Sequence, residues 1–121
     1  MSNSKKPFHI RSKIWIEDDK GLVIFGLGRL RILAAIDRCG SLNAAAKELN
    51  MSYRALWGKI KATEQGLGAP LLHRTTGGVS GGGSQLTDLA QTLIREFKNM
   101  HGHINHETDC VFDNVFPKTI A

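Results

Sequence analysis

Two cysteines in 121 residues is few. Cys39 and Cys110 stand far apart and neither belongs to a CxxC pair, which excludes a disulfide framework and a zinc ribbon and fits a reducing, cytoplasmic setting. No window approaches the run of about 18 apolar residues that a membrane helix needs, so a membrane-spanning protein is excluded. Lys5 and Lys6 precede an apolar stretch, but Arg11 and Lys13 interrupt it and no small-residue cleavage site follows, so no signal peptide is expected. Nucleotide-binding loops are lacking too. GLGRLR (26–31) has no third glycine, and GGVSGGGS (77–84) has no Lys followed by Ser or Thr. No Ser-His-Asp or Cys-His arrangement argues for nucleophilic catalysis, and an enzyme is not expected.

Acidic charge is the other scarcity. Sixteen Lys and Arg face 11 Asp and Glu, leaving a formal charge of +5 and a pI near 9.5. Residues 86–121 hold Arg95, Lys98 and Lys118 against Asp88, Glu96, Glu107, Asp109 and Asp113, so the positive surplus sits in the first 85 residues. A polyanion partner, nucleic acid before others, follows from that balance. The length fits one domain covering 1–121.

Phe8, Ile10, Ile14 and Ile16 alternate with His9, Arg11, Lys13 and Trp15, and EDDKG (17–21) supplies turn residues before Leu22-Val23-Ile24-Phe25. The pattern predicts a β-hairpin over 8–26. From Gly28 the period becomes helical, with Leu30, Leu33 and Ala34 on a broad apolar stripe and Gly40 as a stop. Ser41 is a good N-cap for a short helix through Leu42, Ala45, Ala46 and Leu49, and Asn50 can take the left-handed conformation that ends it. Ser52 caps a third helix with Leu56, Ile60 and Leu67 on its apolar side, terminated by Gly66, Gly68 and Pro70. Two helices this close, the first rich in Ala, form a helix-turn-helix over 41–67.

Leu71-Leu72 and Gln85-Leu86 flank TTGGVSGGGS (75–84), a hairpin with a glycine-rich tip, and 71–87 therefore reads as a wing. Thr87 caps a fourth helix over 87–105, whose Leu86, Ala90, Leu93, Phe97, Met100 and Ile104 step alternately by four and three residues. That stepping describes a coiled-coil-like seam, and Leu93, Phe97, Met100 and Ile104 are expected at a homodimer interface. Beyond it, 106–121 reads as a frayed tail containing Pro117. The expected fold is mainly α with small β elements: a winged helix-turn-helix with an N-terminal β-hairpin and a long C-terminal dimerisation helix.

On the third helix, Arg54, Gly58, Lys61 and Gln65 lie opposite Leu56, Ile60, Thr63 and Leu67, with Tyr53 and Trp57 on the flank. A basic outer face of this width fits the major groove, where Arg donates two hydrogen bonds to guanine. Ser52, Tyr53, Arg54 and Trp57 are the expected base contacts. Ser41, Gly58, Lys61 and Arg74 are the expected phosphate contacts. Trp57 has a plainer alternative in packing against the second helix, and Gly58 in easing a crowded crossing. His101, His103, His106 and Cys110 are metal-capable types, but only His103 and His106 share a helical face, so no metal site is expected.

GSLNAAAKELNMSYRALW (40–57) followed by RTTGGVSGGGSQLT (74–87) resembles the winged helix-turn-helix of LysR-type regulators, and more closely that of the ModE family of molybdate-responsive regulators. The resemblance covers about half the chain. It implies a bacterial transcription regulator that binds an inverted-repeat operator in double-stranded DNA as a dimer. ModE-like regulators commonly continue into oxyanion-binding domains, for which 121 residues leave no room, so molybdate is not expected to bind this polypeptide and no cofactor is expected. Other functions open to the chain are a protein-interaction module that keeps the fold and a stand-alone metal or oxyanion sensor.

Overall fold

The computed structural model describes residues 8–75 and 83–120, the side chains of 74, 75 and 117–120 excepted. In chain order it contains β1 (Trp15–Glu17), β2 (Val23–Gly26), α1 (Leu27–Cys39), α2 (Leu42–Glu48), α3 (Tyr53–Leu67), β3 (Leu72–Thr75), β4 (Gly83–Leu86) and α4 (Asp88–Ile120). This is the winged helix-turn-helix expected from the pattern: three helices around one core, two antiparallel two-stranded sheets, and a long last helix. Among the described residues no helix is long and apolar enough to cross a membrane.

The N-terminal hairpin is shorter than its alternation suggested. Only Trp15–Glu17 and Val23–Gly26 pair, with the register shifting between Ile16 and Glu17, and residues 8–14 form no strand. Their alternation has another cause. Ser12 and Ile14 turn inward, Ser12 Oγ donating to Asn105 Oδ1 of α4 at 2.6 Å, while Arg11 and Lys13 stay exposed. A period of two thus records an extended segment lying along a helix rather than a ladder. The turn is held by Asp18, whose carboxylate accepts the N–H groups of Lys20 and Leu22, both at 2.9 Å.

β2 belongs to the core. Ile24 and Phe25 are buried beside Leu33 and Ile36 of α1, Ala45 of α2 and Leu56 and Ile60 of α3. Gly66 of α3 packs directly on this strand: a Cβ at that position would run into Ile24 Cδ1, so that methyl would have to move aside. Thr63 Oγ1 donates to Ile24 O at 2.6 Å, and Arg29 Nη1 donates to Ile24 O at 3.1 Å and to Thr63 Oγ1 at 3.2 Å. These partners of Arg29 are neutral, and its burial lowers the guanidinium pKa from the ordinary value.

The helix boundaries follow local chemistry. Ser41 Oγ accepts from Ala44 N at 3.1 Å, Ser52 Oγ from Ala55 N at 3.0 Å, and Thr87 Oγ1 from Ala90 N at 3.2 Å. Asn50 adopts φ 58° between α2 and α3, the left-handed turn that the spacing between them requires. In the wing Leu72 pairs with Leu86, His73 with Gln85, Arg74 with Ser84 and Thr75 with Gly83. Ser84 N donates to Gly40 O at 3.0 Å, which stitches the wing's root to the α1–α2 junction.

α4 departs most from the sequence reading. It does not end near 105 but runs unbroken to Ile120, 33 residues in all, so 106–121 is not a frayed tail as far as it is described. The helical pattern continues through Thr108, Val111 and Val115, one polar residue interrupting an apolar row. A second correction concerns Phe97, assigned above to a dimer interface. It is only 3% exposed and packs edge to face on Phe25 within its own chain. Leu93 also packs against this core.

Candidate nucleic-acid interface

α3 is amphipathic in the strict sense that decides what it can touch. Leu56 and Ile60 are sealed in the core, and Thr63 is tied to β2, so the helix cannot rotate about its axis without breaking both. What remains outside is fixed: Ser52, Tyr53, Arg54, Gly58, Lys61 and Gln65 are exposed on one side. The structure therefore brings together most of the residues assigned to bases and to phosphates. Tyr53, at the start of the helix, is 41% exposed. Among the described residues Arg54 and Lys59 pair with no carboxylate.

Trp57 divides between the two roles weighed for it. It is half-buried, packing against the core, and its ring lies 5.1 Å from the Lys61 ammonium. Gly58 is clearer: a Cβ built there meets nothing within 4 Å, so no crowded crossing inside this chain demands a glycine. Ser41 lies at the N-terminus of α2, its hydroxyl already engaged as cap. Arg74 occupies β3 opposite Ser84, which places it in the wing; its side chain, and residues 76–82 expected to form the glycine-rich tip, lie outside the described residues.

The sequence reading missed Glu64. It is the single carboxylate of α3, largely buried, and it faces two ways: Oε2 accepts from Leu71 N at 2.8 Å while Oε1 lies 3.6 Å from Lys61 Nζ. The i, i+3 spacing of Lys61 and Glu64 was visible in the sequence, whereas the reach to Leu71 needed the fold.

On α4, His101 stacks on Phe97 and lies 3.3 Å from Asn105 Nδ2 through its Nδ1, and His106 Nε2 lies 3.7 Å from Cys110 Sγ. Among the described residues no three His, Cys, Asp or Glu side chains converge on a point. Farther out, Ile10, Thr108, Val111, Phe112, Val115 and Phe116 line an open apolar groove between the N-terminal segment and the distal half of α4.

Comparison with known proteins gives this arrangement a context. The family described as bacterial regulatory helix-turn-helix protein, lysR family, matches residues 27–91, which spans α1 through the start of α4. The transcriptional regulator ModE of Haemophilus influenzae is 36% identical over 89 residues, covering 74% of this chain and 35% of that protein. The molybdenum-pterin-binding protein MopB of Rhodobacter capsulatus is 42% identical over 72 residues, covering 60% of this chain and 27% of that protein. This chain thus corresponds to about a third or less of those relatives. Among solved structures, the DNA-binding domain of CbnR in its DNA complex superposes with a TM-score of 0.56 at 22% identity, covering 74% of this chain and 98% of that one, which is a likeness of fold.

Proposed function

Because the chain belongs to the lysR family of bacterial regulatory helix-turn-helix proteins, we propose that it binds double-stranded DNA sequence-specifically and regulates transcription. The carrying observation is the rotational locking of α3, which leaves Tyr53, Arg54, Gly58 and Lys61 as its outward face. In the major groove Ser52, Tyr53, Arg54 and Trp57 meet base edges, with Arg54 donating to guanine O6 and N7. Ser41, Gly58, Lys61 and Arg74 meet phosphates, the open space at Gly58 letting the DNA backbone come close to the helix. The protein acts in the cytoplasm, where the DNA is.

Two copies are required for specificity, since each readable base pair contributes only about 1–3 kcal/mol. They pair through α4. Its first third is absorbed by the core, but Met100 and Ile104 and, beyond them, Val111 and Val115 follow on the same stripe, and Val111 is 59% exposed. A two-fold axis along this stripe makes the operator an inverted repeat.

Selection of bound duplexes from a random pool, followed by affinity measurements across a salt series, tests the reading. A recurrent inverted repeat and a steep fall of log K with log salt are expected. Recovery of no preferred sequence, with affinity insensitive to salt, would overturn it.

A further inference from the structure

The distal half of α4 collects metal-binding side chains and lacks the charge that would repel a cation. Between Lys98 and Lys118 there is no Lys or Arg, while Glu107, Asp109 and Asp113 add three carboxylates to a chain whose formal charge is +5. Cys110, left off the His103–His106 face in the sequence reading, stands four residues after His106 and belongs to that face. One helical turn apart, His106 Nε2 and Cys110 Sγ lie 3.7 Å from each other, and both side chains are exposed. In a tetrahedral zinc site an imidazole nitrogen at about 2.0–2.1 Å and a thiolate sulfur at about 2.3 Å stand about 3.6 Å apart. The two donor atoms are already at that separation. A thiol–imidazole hydrogen bond is the other use of this geometry, and a metal ion would take the place of its proton.

We propose that His106 and Cys110 form a two-donor site on α4 for a divalent metal ion of the Zn2+ and Co2+ type. The neutral imidazole, its proton on Nδ1, offers the Nε2 lone pair, and the thiol releases its proton to solvent and binds as thiolate. Among the described residues no third His, Cys, Asp or Glu converges there, so water fills the remaining positions and one chain holds one ion. Glu107, Asp109 and Asp113 add attraction without coordinating. Mg2+ prefers an all-oxygen set and is excluded by ligand type. Val111 lies about 100° round the helix from Cys110 and about 140° from His106, so the stripe proposed for dimerisation faces elsewhere. The bound ion links two successive turns of α4 from outside, and the site does not depend on the DNA-binding reading.

Titration of the full chain with Co2+, the thiols kept reduced by a phosphine, tests the site by absorption. A thiolate-to-cobalt charge-transfer band in the near ultraviolet should appear and saturate at one ion per chain. Zn2+ should abolish the band by displacement, and Mg2+ should leave it unchanged. Cys110→Ser should remove it, and His106→Ala should weaken binding about tenfold or more. Both positions are exposed, and circular dichroism checks that the variants fold. Cys39→Ser and His103→Ala should keep the band. Absence of a band in the wild type, its survival in Cys110→Ser, unaltered affinity in His106→Ala, or its loss in Cys39→Ser or His103→Ala would each overturn the two-donor site.

Discussion

The rings of Phe25 and Phe97 meet edge to face, their centroids 5.4 Å apart and their planes at 79°. This contact joins the N-terminal hairpin to the last helix across more than half of the sequence, and both residues are buried. It fixes where α4 leaves the core.

Replacing Phe97 by Ala should cost about 3–5 kcal/mol, a large share of the 5–15 kcal/mol typical of a domain. Urea unfolding followed by circular dichroism measures it, with a lower midpoint expected at similar slope. A loss under about 1 kcal/mol would mean that the core closes over the gap or that Phe97 contributes little.

Self-association should depend on the outer part of α4 instead. With Val111 and Val115 exposed on the stripe that continues from Met100, the double change Val111→Asp and Val115→Asp should convert a dimer to a monomer in sedimentation experiments while helicity stays the same. A dimer that survives both charges would move the interface to another face.

Sequence readout should centre on Arg54, exposed and without an ion pair among the described residues. Arg54→Ala should relax the preference at one base pair per half-site and cost about 1–3 kcal/mol on the selected duplex. Equal losses on selected and random DNA would reduce Arg54 to a phosphate contact.

The two glycines of α3, Gly58 in its middle and Gly66 in its last turn, should respond oppositely. Gly58→Ala adds a methyl in open space and should stabilise the fold by about 0.5–1 kcal/mol while weakening DNA binding. Gly66→Ala pushes into Ile24, so it should be less stable than Gly58→Ala by about 1–3 kcal/mol. Thermal unfolding of both, with binding titrations of the first, checks the pair, and Gly58→Ala with unaltered affinity would remove that position from the interface.

What could be read in the sequence was what local chemistry controls. Ser41, Ser52 and Thr87 cap the helices they precede, Asn50 takes its left-handed turn, and the outward set around Arg54 follows from helical period alone. Three of the differences share one cause, a partner distant in sequence. The alternation of residues 8–14 comes from lying on α4 near Asn105, Phe97 answers to Phe25, and Glu64 reaches Leu71 past the end of its helix. α4 was cut short for a different reason: Thr108 sits within the apolar row, its hydroxyl satisfied by Ile104 O at 2.8 Å, so a polar letter concealed a continuing stripe.

The length of α4 has a mechanical consequence. Thirty-three residues rise about 50 Å, and Thr87 at the base is pinned through its N–H to Leu71 O and through its hydroxyl to Pro70 O. The helix is a lever with its fulcrum beside the wing. A displacement of about 4 Å at the far end corresponds to roughly five degrees at Thr87. Displacements at the tip are therefore geared down to small rotations at the base, beside the wing.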